Sequence, residues 1–195
     1  MKAFVIGVSG ASASGKSTLC ENLIPILGES TSYILLDKFY KKELPRIISP
    51  LDGEEYPDWN HPDSINRPAA YDFIKNEISS GIKYLLLDGA FLFCIDELRE
   101  LCDYKIYVTA SIETRLYRRI KRNLIIKNQT LEEIADYYLA TVRYREREYS
   151  IPSSKYADLM LDNENGFGDG VIRAYEAILN TERKKTQLLK KDGIL

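Results

Sequence analysis

Histidine is almost absent: His61 is the only one in 195 residues. That excludes a multi-histidine metal centre, and it excludes a histidine-based triad unless His61 itself is the base. Cysteine is scarce and odd in number, with Cys20, Cys94 and Cys102 and no C-x-x-C pair, so neither a disulfide framework nor a zinc site is expected. Three small thiols fit a reducing compartment. No apolar run is long enough to span a bilayer; Tyr84 to Leu87 is typical of the longest. No signal peptide precedes the first apolar run. A charge surplus is missing as well. The formal net charge of −2 argues against a nucleic-acid binder, which is more often strongly basic. With 45% hydrophobic and 29% charged residues, the composition is that of an ordinary globular chain. These absences point to a cytoplasmic protein with no membrane and no nucleic-acid partner. They leave a homo-oligomer open.

Gly10 to Thr18 reads GASASGKST and fits the phosphate-loop pattern G-x-x-x-x-G-K-[ST] at every fixed position. An apolar run, Lys2 to Val8, precedes it, and Leu19, Leu23, Ile26 and Leu27 form a helical face behind it. Strand, glycine loop and helix is the context this chemistry needs. The backbone N–H groups of Gly10, Ala11, Ser12, Ala13, Ser14 and Gly15 can line a concavity for anionic oxygens, and Thr18 lies on the opening helical turn. Lys16 reaches the β- and γ-phosphates, and the Ser17 hydroxyl binds Mg²⁺. ATP and Mg²⁺ are therefore the expected cofactors.

Further strands are predicted at 31–36, 83–88, 104–109 and 158–161. Helices are predicted at 63–80, 95–101, 111–123, 130–150 and 170–181. Residues 41–62, with four prolines, read as a long loop. The tail from 182 to 195 is polar, with a frayed end. Strands alternating with helices predict an α/β P-loop NTPase fold: a five-stranded parallel sheet, helices on both faces and a small helical lid near 118–130, in one kinase domain over 1–195. Ligands bind such sheets beyond the carboxyl ends of the strands, where the loop, Asp37 and Asp88 all fall.

Asp88 closes an apolar strand, the usual place for a Mg²⁺ or water-organising acid. Asp37 can take the proton of a substrate hydroxyl as it attacks the γ-phosphate. Among the basic residues of 115–122, Arg118, Arg119 and Arg122 are expected at phosphate, Arg118 on the donor side and Arg119 also facing the acceptor; Arg115 and Lys121 are expected in solvent. The run Arg143, Arg145, Arg147 is interleaved with Glu146 and Glu148 and reads as surface pairing, with Arg143 kept as a substrate contact. Trp59, the only tryptophan, can stack on a flat base, beside Tyr40 and Asn60.

The segments GASASGKSTL, LDKFYK, DWNHPDSIN, LDGAFLF and TRLYRRIKR, with the stretch ending at Leu161, resemble the uridine kinase family, in the wider group with phosphoribulokinase and nicotinamide riboside kinase. The resemblance implies transfer of the ATP γ-phosphoryl to the 5′-hydroxyl of a ribonucleoside. It implies Asp37 as general base, Ser17 and Asp88 at Mg²⁺, and Arg118, Arg119 and Arg122 in the lid. Three departures stand out. Asn60 replaces the family's aspartate at the ribose hydroxyls. The stretch 67–83 reads as a helix where uridine kinases place a hairpin against the pyrimidine. At the lid tip, Ile125-Ile126-Lys127-Asn128 replaces an arginine-bearing segment. Nicotinamide riboside kinases also lack the hairpin and are similar at Trp59-Asn60 and YRERE (144–148), so nicotinamide riboside is the alternative acceptor to uridine or cytidine. A nucleotide-binding regulator with a decayed kinase site is the reading from another class.

Overall fold

In a computed structural model, residues 2–191 are described. Five parallel strands form the sheet: β1 (Phe4–Ser9), β2 (Thr31–Leu35), β5 (Tyr84–Asp88), β6 (Tyr104–Thr109) and β7 (Leu159–Asp162), in the spatial order β2-β5-β1-β6-β7. β1 is central and buried along its whole length, which explains its unbroken apolar sequence. Its alternation splits the core. Ala3 and Val5 join Leu85, Leu87, Ile74 and Ile78 on the face covered by α2 (Arg67–Ile78). Phe4, Ile6 and Val8 join Leu19, Leu23, Ala174 and Ile178 on the face covered by α1 (Lys16–Leu27) and α7 (Gly170–Lys191).

α3 (Asp96–Arg99) is a single turn after β5. α4 (Ile112–Ile126) follows β6, with Ser111 capping its first turn. α5 (Leu131–Tyr137) opens with a capping box from Thr130 and Glu133. The helix then continues through a π-type stretch, Tyr138–Val142, a short α6 (Arg143–Arg145) and a second π-type stretch, Glu146–Ser150.

The structure corrects three expected boundaries. Residues 41–62 are not all loop: β3 (Arg46–Ile48) and β4 (Glu55–Pro57) pair as a small antiparallel hairpin. Strands of three residues carry too little alternation to be read, and the prolines mask them. α4 runs on through Leu124, Ile125 and Ile126, so the gap between the helices predicted at 111–123 and 130–150 shrinks to 127–129, where Asn128 adopts φ 51°. α7 continues past Glu182 to Lys191, held by Tyr84 donating to Glu182 at 2.6 Å and by the Lys185–Asp103 pair. The expected frayed end, 192–195, lies outside the described residues.

Because all five strands are parallel, their carboxyl ends share one edge. The phosphate loop follows β1, Asp37 follows β2, Asp88 ends β5 and Asn163 follows β7. Among the described residues no helix is long and apolar enough to cross a membrane.

Candidate active site

A cleft of about 740 Å³ opens at this edge, within the size range of small-molecule sites. The phosphate loop forms its floor. Gly15 has φ 106°, and a side chain there would collide with the amide of Asn163, which donates to the Ser14 carbonyl at 2.8 Å. Asn163 thus clamps the loop from β7. Ala13 holds φ 63°, a left-handed conformation that costs an L-residue about 1–2 kcal/mol and is found at sites where the fold over-determines the backbone. Among the described residues Lys16 makes one long hydrogen bond, 3.4 Å to the Ala11 carbonyl.

Asp88 is fully buried. Ser17 and Tyr33 both donate to its Oδ2, at 2.5 and 2.9 Å, while Oδ1 is buried without a partner. An orphaned buried carboxylate oxygen beside a serine hydroxyl is a hard-oxygen pair of the kind Mg²⁺ takes. The described residues hold no cluster of three or more histidine, cysteine or acidic side chains that would cage a metal alone. The residues present therefore fit Mg²⁺ as an ion completed by water and phosphate oxygens. Asp88 also acts on Tyr33, whose phenol is pushed up by burial and then by the Asp88 charge.

Asp37 keeps solvent contact on the cleft floor, yet protein crowds it on most sides. That crowding raises its pKa, as does Asp88, while Lys16, Arg122 and Lys127 pull it down. Three cations act on it, and Arg119 lines the same cleft. Arg119 has its pKa lowered by burial and then by Arg122, and Lys127 has its pKa lowered by burial and then by Arg122 and Arg119. Glu146 and Asp37 offset this only in part, so Arg119 and Lys127, with Arg122 beside them, form a cationic field that an incoming anion relieves. Arg118 donates to the carbonyls of Asn163 and Glu164 at 2.8 and 3.1 Å, while its Nη1 has no partner, nor does Arg119 Nε.

Tyr40 and Trp59 also line the cleft, their rings meeting edge to face at 5.2 Å, with Asn60 next in the chain. All the expected site residues except Gly10, Ala11, Ser14 and Arg143 line the cleft itself. The first three shape the loop from behind. Arg143 does not reach it; its guanidinium packs on Tyr144, 4.7 Å from the ring centroid, and donates to the Tyr144 hydroxyl. His61 is structural. Its Nδ1 accepts from the Asp63 amide, which leaves Nε2 for the Tyr149 hydroxyl at 2.8 Å.

Arg115, expected in solvent, is interior, and Arg145, expected in surface pairing, keeps a pair with the exposed Glu148 but also turns inward. Arg115 is 5% exposed; it pairs with buried Glu146 at 2.8 Å and donates to the Ala110 carbonyl and weakly to that of Ser12 in the phosphate loop. Arg145 donates at 2.7 Å to the fully buried Asp58, whose other oxygen accepts from the Asn60 amide. Tyr137 and Glu146 were invisible as cleft residues for a geometric reason. Nine residues apart, they are about 2.5 turns from each other in a regular α-helix, on opposite faces. The wider π-type turn between them rotates both toward the cleft.

Residues 52–165 match the Phosphoribulokinase / Uridine kinase family. The chain belongs to that family. It is 27% identical over 189 residues to uridine-cytidine kinase 2-B of Danio rerio, spanning 81% of this chain and 72% of that one. It is 29% identical over 203 residues to the uridine kinase of Borrelia duttonii, spanning 91% and 94%. Shikimate kinase from Acinetobacter baumannii, solved with shikimate, superposes with a TM-score of 0.56 at 15% identity over 91% of this chain and 94% of that one, a likeness of fold alone. In this chain the phosphate loop, Asp37, Asp88 and the cations Arg118, Arg119, Arg122 and Lys127 line one cleft, although they are scattered over residues 12–127.

Proposed function

We propose that this protein transfers the γ-phosphoryl of ATP to the 5′-hydroxyl of a ribonucleoside, with uridine or cytidine as acceptor. One observation carries the reading: Lys16, Asp37 and Asp88 line a single cleft together with Tyr40, Trp59 and Asn60. The phosphate loop and Lys16 hold the donor phosphates. Asp37 accepts the proton of the attacking hydroxyl, and its raised pKa brings it closer to the basicity that role needs. Arg119, Arg122 and Lys127 offset the charge on the transferring phosphoryl group, and Arg118 lies toward the donor. Ser17 and Asp88 would hold Mg²⁺, which neutralises phosphate charge when bound. The end of α4 and the turn 127–129 form the lid that excludes water, and the reaction runs in the cytoplasm.

The acceptor base is read less directly. α2 fills the stretch where uridine kinases carry the hairpin described above, so base contacts fall to Tyr40 and Trp59. That observation favours nicotinamide riboside as the second acceptor. The test is Mg-ATP consumption against uridine, cytidine, nicotinamide riboside, adenosine and ribulose 5-phosphate, with product masses checked. Turnover on uridine or cytidine is expected. ATP binding with no turnover on any acceptor would overturn the reading in favour of a regulatory protein.

A further inference from the structure

Asn60 lines the cleft with Tyr40 and Trp59, and an amide presents an acceptor to a hydroxyl only when turned the right way. The structure contains a device that turns it. The Tyr137 hydroxyl donates to the Pro57 carbonyl at 2.8 Å. A carbonyl cannot donate, so the single phenolic proton is committed there. The same oxygen lies 3.4 Å from the Trp59 amide nitrogen and 3.3 Å from the Asn60 side chain. With its proton spent, the hydroxyl can only accept from both. The Asn60 atom facing it must therefore be Nδ2, and Oδ1 must be the other end. One donor and two acceptor sites are filled, which completes the hydroxyl's capacity. Burial raises the phenol's pKa, so the proton stays in place through neutral pH. Asn60 Oδ1 has no partner among the described residues, is not an orphaned buried atom, and belongs to a residue that lines the cleft.

We infer that Tyr137 is a positioning residue that fixes the Asn60 amide with Oδ1 toward the acceptor, so that this chain receives a substrate hydroxyl proton donor through a neutral oxygen. The inference rests on the nucleoside kinase reading. A carboxylate needs no such device, because both its oxygens accept. Arg145 supports the arrangement from behind: it holds Asp58, and Asp58 holds the Asn60 main chain.

The experiment is a cycle of variants read by uridine affinity. Trp59 is the only tryptophan and is half-exposed at the cleft, so its fluorescence reports Kd without turnover, with kcat measured in parallel. Tyr137→Phe removes the hydroxyl and frees the amide to flip. It is expected to weaken uridine binding about fivefold, the worth of one hydrogen bond, with kcat nearly unchanged. In an Asn60→Asp background the same change should cost less than about twofold, because orientation no longer matters. In an Asn60→Ala background it should also cost little, because there is no amide to orient; this arm keeps the test valid if Asn60→Asp binds poorly on its own. A loss of equal size in all three backgrounds would make Tyr137 a loop anchor and overturn the inference alone, as would no loss in the parent. Failure of the parent protein to bind or phosphorylate any nucleoside overturns the acceptor reading, and the inference with it.

Discussion

Replacing Arg115 with methionine separates an interior ion pair from a solvated helix face. The parent pair is 2.8 Å long with both side chains nearly sealed, 6% and 7% exposed. Methionine keeps the length of the side chain and removes the charge, leaving Glu146 buried without its cation. Breaking a buried pair from one side costs about 3–5 kcal/mol, against at most about 1 kcal/mol for a surface pair. For a chain of this size each kcal/mol moves Tm by about 2–4 °C, so a fall on the order of 10 °C is expected. Guanidinium denaturation at pH 7 should show the same loss as a lower midpoint at unchanged slope. Replacing both partners with methionine should recover most of the loss, since no charge is then stranded. A loss below about 1 kcal/mol for the single variant would refute the argument and return Arg115 to the solvated face its sequence suggested.

Asp37→Asn should lower kcat by about 100-fold or more while ATP binding persists, read by steady-state kinetics beside nucleotide titration; near-parent turnover would remove Asp37 as the base. Lys127→Ala should move the acid limb of kcat/KM to higher pH. Lys127 holds the Asp37 pKa down, so its loss lets that pKa rise and the base protonate at a higher pH. Asp88→Asn should weaken the apparent Mg²⁺ affinity of the reaction by about tenfold or more, measured by Mg²⁺ titration at fixed ATP, because the unpartnered Oδ1 loses its charge.

What could be read from the chain is what lies within one strand, one loop or one helix turn. The phosphate loop is legible because its function resides in consecutive backbone amides and the residue types that let them bend. Asp37 and Asp88 are legible because a parallel sheet sends every strand end to one edge, so two distant carboxylates can be placed together without knowing any side-chain contact. Arg115, Arg145 and Tyr137 fail that condition. Each sits in a helix whose local pattern is charged or aromatic, and each is turned inward by something far away in sequence: Glu146, Asp58 and the Pro57 carbonyl. Asn163 lies between the two cases. It follows β7, so the same strand-end rule that found Asp37 and Asp88 extends to it, and only its polar but uncharged side chain kept it from notice. The helix of 130–150 is the sharper case, because it reads correctly as a helix and still misplaces the site. Its widened turns depend on which carbonyl each amide chooses, i−4 or i−5, and no spacing of side chains encodes that choice. The acceptor wall depends on it: a regular helix through Tyr137 would turn Glu146 away from the cleft, strand Arg115, and loosen the phosphate loop whose Ser12 carbonyl Arg115 touches.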